Sequence, residues 1–249
     1  MKKFKETVSA ILILAAVGAL IYFMYQQGST KHNRELAKRM MELSPRGGPP
    51  ETIEGLRQAI ALYEDQIERN VREGAQAGIY WKILGTRLAD RNMDNDALEA
   101  FERAIYYNSE DAGLYYLTGL SAAKVAKSKV GFSGNAAREQ EQYFKLAENS
   151  HLRALELEIT YTRPMYALGI LYSFELDRPE DAIVQLERYL QIQQSDISAM
   201  FLLARSYYMI QNFSRSVEIY DRIIDRTRNQ NERQEALVNK NIVQGMLYE

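Results

Sequence analysis

One spacing pattern recurs along this chain of 249 residues and limits the folds that it can adopt. In the first copy Trp81 is followed by Leu84, Gly85 and Leu88, at the steps of three and four residues that place side chains on one face of an α-helix. The same frame returns as Tyr115, Thr118, Gly119 and Ala122, as Met165, Leu168, Gly169 and Tyr172, and as Met200, Leu203, Ala204 and Tyr207. Helices of one repeated design predict a stack of similar helical units.

Each copy is followed by a second helical pattern of small and large residues. These second patterns read Ala97, Phe101 and Ala104, then Ala147, His151 and Ala154, then Ala182, Leu186 and Tyr189, then Ser216, Tyr220 and Ile223. A small residue such as Gly85 lets one helix approach the next closely, with Ala97 opposite, whereas a larger side chain would push the two helices apart. Each unit is therefore predicted to be a helical hairpin.

The paired patterns, W-x2-L-G followed by A-x3-F, resemble the tetratricopeptide repeat (TPR) family over about residues 78–230. The resemblance implies an all-α fold, a right-handed α-solenoid of helix-turn-helix repeats. The sequence departs from the family pattern at Ser109, His151 and Ser216, but the period is kept. The predicted TPR domain covers residues 51–249, with an N-terminal capping helix 51–74, repeats at about 78–111, 112–161, 162–196 and 197–230, and a C-terminal capping helix 231–249.

The second predicted repeat, residues 112–161, is longer than the 34 residues usual for the family. Its additional residues lie around 124–141 and include a turn signal from Gly131 to Asn135, with Phe132 at the tip. Both helices of this hairpin are predicted to be longer than their neighbours. The protrusion is either a tolerated decoration or an added contact surface.

An uncharged segment near the N-terminus, Val8 to Tyr25, predicts a membrane anchor within residues 1–27. As a helix it would be about 27 Å long, close to the roughly 30 Å of a hydrocarbon core, and lysines precede it. A cleaved signal peptide is the alternative. We expect a single-pass membrane protein, in a bacterium one of the inner membrane with its TPR domain in the periplasm. The opposite orientation, with cytoplasmic repeats, stays open.

The segments that flank the repeats also carry patterns. Residues 28–50 predict a short juxtamembrane helix and a linker rich in proline and glycine. In the N-terminal capping helix, apolar residues at steps of three and four predict a face that covers the edge of the first repeat: Ile53, Leu56, Ile60, Tyr63, Ile67 and Val71. The C-terminal capping helix is predicted to pack through Leu237, Val238, Ile242 and Met246 and to have a polar outer face.

Composition and motifs argue against catalysis by this chain. Its 31 basic and 33 acidic residues give no general attraction to nucleic acid, and cysteine is absent. Phosphate-binding loops, dinucleotide motifs and nucleophile elbows are missing from the sequence. Glu148 and His151 have the spacing of a metal-binding helix face, but His32 is the one other histidine, so His151 is interpreted as a core residue. We predict no enzyme activity, cofactor, metal, small-molecule substrate or nucleic-acid partner.

The TPR resemblance implies that the first helices line a concave face and bind a protein partner at steps two, five, nine, twelve and thirteen of each repeat. These steps predict a candidate groove formed by Lys82, Tyr116, Arg163, Tyr166, Ile170, Phe174, Phe201, Arg205 and Tyr208. Aromatic and arginine side chains supply much of the binding energy at interfaces, and such a groove presents them to an extended peptide or a helix. A clamp for the C-terminal carboxylate of chaperones is disfavoured, because Lys82 fits that pattern and Thr86 does not.

The sequence therefore predicts a membrane-anchored scaffold or adaptor of the bacterial cell envelope that binds a peptide or helix of a protein partner in its groove. Two alternatives stay open. One is a cytoplasm-facing receptor or translocon-associated factor. The other is a self-associating structural component, a homo-oligomer formed through the edge of the fourth repeat or the long second hairpin.

Overall fold

The computed structural model describes residues 34–39, 41–42, 50, 52–129 and 134–246. Contacts divide the chain into two compact units, Met1–Glu73 and Gly74–Glu249. Residues 34–39 and 41–42 are helical, and the longer helices of the described part are α1 (Ile53–Ala89), α2 (Asp94–Tyr107), α3 (Ala112–Ser128), α4 (Gly134–Leu157), α5 (Thr162–Phe174), α6 (Pro179–Ile192), α7 (Ile197–Met209), α8 (Phe213–Arg226) and α9 (Gln230–Gly245). All regular structure in these ranges is helical, which confirms the all-α prediction.

Helix α1 differs from the sequence-based prediction. The sequence separates a capping helix from a first repeat that begins at residue 78, whereas one helix runs from Ile53 to Ala89. Residues 75–77 read Ala-Gln-Ala and favour helix, so they do not end it. The six apolar residues that were expected to be covered are exposed, namely Ile53, Leu56, Ile60, Tyr63, Ile67 and Val71.

Within the unit Gly74–Glu249, consecutive helices pack as hairpins. Helix α3 packs with α4, α5 with α6 and α7 with α8, while further contacts join α3 to α5 and α5 to α7. Helix α9 packs on α8 and follows the last hairpin as a further helix of the series. Contacts between the first helices of neighbouring hairpins are those of a helical solenoid, in which each unit touches its neighbours.

Glycine allows the close helix crossings of these hairpins. A Cβ atom added at Gly85 would lie 2.5 Å from the Phe101 ring, and one at Gly169 would lie 2.6 Å from the Leu186 side chain. At Gly119 the added atom would lie 2.5 Å from the His151 ring. The glycine that recurs in the first three hairpins is therefore explained by steric contact across each of them, as the spacing predicts.

The core of this unit follows the stacked hairpins. Buried apolar side chains form one cluster that extends from Leu98 in α2 to Val243 in α9. Phe101 and Leu114 belong to a smaller cluster, against which Trp81 packs. Trp81 is thus a packing residue at the first hairpin.

Side-chain caps begin several of the helices. Asp111 and Asp196 precede α3 and α7, and each accepts a hydrogen bond at 3.0 Å from the backbone N–H three residues further on. Asp94 does not act in this way, because it is the first residue of α2 and the preceding Met93 has no capping side chain. Such caps satisfy backbone donors that a helix leaves unpaired at its start.

The second hairpin is longer than the others, but unequally so. Helix α4 has 24 residues against 14 in α6, whereas α3 has 17 residues against 13 in α5. The additional length therefore falls mainly on the second helix. Phe132, the predicted tip, lies outside the described residues.

Helix α9 buries a different face from the predicted one. Ala236 and Val243 are buried, whereas Leu237, Val238 and Ile242 are exposed. Adjacent residues of a helix differ in direction by about 100°, so a shift of one position turns the buried face well away from the expected one.

The predicted localisation needs a correction. No helix in the described part of the chain combines the length and the apolar character needed to cross a membrane. Helix α1 is long enough but contains charged residues such as Glu64, Asp65 and Glu68, and the apolar helices α5 and α7 have 13 residues each. The prediction of a single-pass inner-membrane protein with periplasmic repeats is thus contradicted. The segment Val8 to Tyr25 itself lies outside the described residues.

Candidate functional site

A concavity of about 600 Å³ opens on the faces of α5, α7 and α9. We call it the α5–α7–α9 groove and define it by its lining residues, Tyr166, Ile170, Phe174, Ser198, Phe201, Leu202, Arg205, Tyr208, Tyr220, Glu235, Asn239, Ile242 and Val243. Six of the nine residues predicted from the sequence lie in it. The structure thus brings together the candidates from the third and fourth repeats, except Arg163.

Helix α5 forms one wall of the groove. Tyr166, Ile170 and Phe174 recur at steps of four, so they share one face of the helix. The opposite face carries Met165 and Leu168, which are buried in the core. Because packing holds the back of the helix, the groove side is free to present aromatic and apolar groups.

Helix α7 forms the middle of the groove with Phe201, Arg205 and Tyr208. The Arg205 guanidinium carbon lies 4.9 Å from the centre of the Phe174 ring, a cation–π contact across two helices. Phe174 is 55 % exposed and Tyr208 is 38 % exposed. Arg205 is exposed as well, so all three side chains are accessible from the groove.

Tyr166 and Phe201 lie deeper, where neighbouring rings hold them. The Tyr166 ring centre is 5.2 Å from that of Tyr189, whose hydroxyl donates a 2.6 Å hydrogen bond to the Asp196 carboxylate. The Phe201 ring centre is 6.1 Å from that of Tyr220. Burial raises the pKa of the Tyr166 hydroxyl, and the Asp196 charge adds to that rise. Both rings also pack against the core, so they form the floor.

Helix α9 forms the third wall, which the sequence analysis missed. Its groove face presents Glu235, Asn239 and Ile242 at steps of four and three. Continuing the family frame by one more period, from Ile197 to Asn231, places these residues at steps five, nine and twelve, the steps used for the other repeats. The sequence therefore contains the signal for this wall: the repeat frame has to be continued beyond residue 230.

Opposite charges face the groove from two of its walls. Burial raises the pKa of the Tyr220 hydroxyl, the Glu235 carboxylate raises it further and the Arg205 guanidinium opposes that rise. Both charges therefore act on the groove lining. Neither Arg205 nor Glu235 has an ion-pair partner among the described residues.

The other three predicted residues do not line this groove. Lys82 forms an ion pair with Asp111, with 2.6 Å between Nζ and Oδ2. Tyr116 packs with its ring centre 5.8 Å from His151 and 5.6 Å from Tyr161. Arg163 is exposed. Its guanidinium interacts with the Tyr161 hydroxyl. All three thus already have contacts within the chain.

Glu148 and His151 have different surroundings and do not form a joint site. The Glu148 carboxylate accepts hydrogen bonds from the Tyr172 hydroxyl at 2.9 Å and from Arg178 at 2.7 Å. His151 is 2 % exposed, its Nδ1 has no hydrogen-bond partner in the described part of the chain, and burial lowers its pKa to about 4. His151 thus occupies the core position that the sequence indicates.

Sequence comparisons find a relative of this chain but no matching family model. No protein-family model matches the chain. A TPR repeat-containing protein from Borreliella burgdorferi is 21 % identical over 201 residues, which cover 80 % of this chain and 85 % of that protein.

Two solved structures share the fold at low sequence identity. The crystal structure of MamA has a TM-score of 0.52 and 18 % identity, covering 68 % of this chain and 86 % of MamA. The crystal structure of a thermophilic TPR protein from Thermus thermophilus has a TM-score of 0.51 and 15 % identity, covering 74 % of this chain and 88 % of that one. These likenesses support the resemblance to the TPR family. The described part of this chain has an all-α, TPR-like helical solenoid fold.

Proposed function

We propose that this protein is a non-catalytic scaffold that binds a peptide or helix of a protein partner in the α5–α7–α9 groove. The observation that carries the proposal is the alignment of three rows of side chains, one from each helix, around a single concavity. Rows at helical spacing on neighbouring helices offer continuous contact to an elongated ligand. The TPR-like fold supports the same role, since proteins of this fold are generally scaffolds.

The chemistry of the groove indicates what its ligand presents. Phe174 and Tyr208 offer exposed aromatic surface, so the ligand needs apolar side chains that bury it. Arg205 lies over the Phe174 ring, and its cation suits an acidic group on the ligand. Glu235 on the opposite wall suits a basic or hydrogen-bond donor group. We infer a ligand with apolar anchors flanked by charges of both signs.

The structure also improves the choice of test residues. Tyr166 and Phe201 pack against the core, so replacing both with alanine would lower stability as well as binding. Phe174, Arg205 and Tyr208 are exposed at the groove surface and can be truncated with less loss of packing. Val184, an apolar residue of α6 that is 52 % exposed and lies outside the groove lining, is a matched control.

The experiment first captures the ligand and then measures its affinity. A photoreactive residue at Tyr208 identifies the cross-linked protein, and binding of the purified partner is then measured by calorimetry. We expect Phe174→Ala and Arg205→Ala each to weaken binding by about tenfold or more, as truncation at an interface hot spot does. Val184→Ala should leave binding unchanged. Equal affinities for the groove variants and the control, with melting preserved, would contradict the proposal.

A further inference from the structure

A second exposed apolar surface lies on α1, within the unit Met1–Glu73. The α1 stripe consists of six apolar side chains whose exposures range from 41 % to 73 %, namely Ile53, Leu56, Ile60, Tyr63, Ile67 and Val71. On the neighbouring face of the same helix Ala59 is 6 % exposed, so that face is already covered. A continuous row of large exposed apolar groups marks an interaction surface on a folded protein.

The spacing within the stripe is that of a coiled coil. Ile53, Leu56, Ile60, Tyr63 and Ile67 alternate steps of three and four, the a and d positions of successive heptads. Charged residues occupy the other side of the helix and are paired within it: Asp65 contacts Arg69, and Glu68 contacts Arg72 at 3.3 Å. The helix therefore has a solvated charged side and a seam that another helix can cover.

The stripe is complementary to itself in one orientation. If a second α1 lies antiparallel with a twofold axis between residues 61 and 62, Ile60 meets Tyr63 of the second copy and Leu56 meets its Ile67. The same contacts form again on the other side of the axis. All four central apolar residues thus pair with apolar residues, and the overlap from about residue 53 to 70 is roughly 27 Å long.

Charges beside the seam favour the same orientation. Arg57 and Glu64 follow Leu56 and Tyr63 directly, at the equivalent heptad position, and neither has an ion pair among the described residues. In the antiparallel arrangement Arg57 lies beside Glu64 of the second copy, and this pair forms twice. In a parallel arrangement in register, Glu64 would instead lie beside Ala59, and no charge pair would form.

We propose that a second copy of this chain binds the α1 stripe and forms an antiparallel two-helix coiled coil centred between residues 61 and 62. The seam buries apolar surface over a short overlap, so the dimer is expected to be reversible rather than permanent. This inference does not depend on the α5–α7–α9 groove, whose lining residues belong to the other unit.

The absence of cysteine from the chain makes a direct test possible. Full-length Ile60→Cys and Tyr63→Cys proteins are prepared separately, mixed and oxidised. We expect cross-linked dimers in the mixture and little cross-linking of either protein alone, because only unlike positions meet in the antiparallel seam. Cross-linking of Ile60→Cys with itself would indicate a parallel pair and overturn the proposed orientation. Absence of any cross-link would overturn the dimer.

Charge reversal provides a second test in the full chain, measured by sedimentation velocity over a range of concentrations. Arg57→Glu should weaken self-association by about tenfold, because like charges then face each other. Combining Arg57→Glu with Glu64→Arg should restore it. Arg72→Glu makes the same charge change on the far side of the helix and should have little effect. A wild-type chain that stays monomeric at hundreds of micromolar, or a double variant as weak as the single one, would overturn the proposal.

Discussion

The second and third hairpins form the same close crossing with chemically different partners. In the α3–α4 hairpin Gly119 faces the His151 ring, whereas in the α5–α6 hairpin Gly169 faces the Leu186 side chain. Both large side chains are buried, but only the imidazole has a polar atom, Nδ1, that is left without a hydrogen bond in the described part of the chain. The residue opposite the glycine must therefore have a suitable size. It can be polar, but a buried polar atom without a hydrogen bond lowers the free energy of unfolding.

The largest expected effect is on the dependence of stability on pH. Burial lowers the pKa of His151 to about 4 from its ordinary value of 6.5, so between these two pH values the unfolded chain binds a proton that the folded chain does not. The contribution of His151 to stability should therefore fall as the pH is lowered from about 6.5 to 4 and stay level below that range. The loss from this one group is of order 3 kcal/mol.

His151→Leu, which copies the third hairpin, isolates that contribution. Urea unfolding followed by circular dichroism across this pH range should show a smaller loss of stability in the variant than in the wild type. Carboxylates titrate in both proteins, so the difference between the two curves reports the histidine. Parallel curves would show that His151 is hydrated or protonated in the folded state.

A smaller effect is expected from filling the space at each glycine. Gly119→Ala should lower the free energy of unfolding by about 2 kcal/mol, because the added carbon meets a rigid ring that is 2.5 Å away. Gly169→Ala should cost less, about 1 kcal/mol, because the Leu186 side chain, whose Cδ2 and Cγ would lie 2.6 and 2.7 Å away, can rotate and alanine favours helix. Thermal melting of both variants compares them. Equal losses would mean that the two crossings relax to the same extent.

The smallest effect concerns the contact that joins the two hairpins. Glu148 on α4 accepts hydrogen bonds from Tyr172 on α5 and from Arg178 at the start of α6, and its side chain is 17 % exposed. Glu148→Gln should destabilise the protein by about 1 kcal/mol, since one charged acceptor serves both donors. Glu156→Gln, which breaks an exposed pair within α4, should cost less than about 0.5 kcal/mol. Calorimetric melting of both variants measures the difference. Equal shifts in melting temperature would mean that the Glu148 contacts between the hairpins stabilise the protein no more than an exposed ion pair does.

Much of the fold could be predicted because local spacing specifies it. Gly85, Gly119 and Gly169 mark helix crossings that the structure contains, and Asp111 and Asp196, of a residue type common at helix N-caps, cap α3 and α7. The start of the first repeat could not be predicted in the same way. A break before residue 78 and continuation of α1 satisfy the same periodicity, and the helix continues through Gly74 and Gly78 because no proline breaks it there.

The candidate groove was predictable only in part. Phe174, Arg205 and Tyr208 follow from the repeat frame, but the wall contributed by Glu235 and Asn239 lies beyond the last unit that the sequence pattern defines. Lys82 fits the same frame and is instead held by an ion pair with Asp111. A frame assigns a residue to a face of a helix, and contacts from other helices decide whether that residue is accessible.

The sequence by itself determined the helical period, the close crossings at small residues and the hairpin units, because these depend on neighbours a few residues apart or on a repeated spacing. Only the tertiary structure decided which face of α9 is buried, that three rows of side chains meet in one groove and that the α1 stripe is open. The physical reason is that burial depends on which distant elements pack together, and residues at the same helical spacing are covered or exposed accordingly.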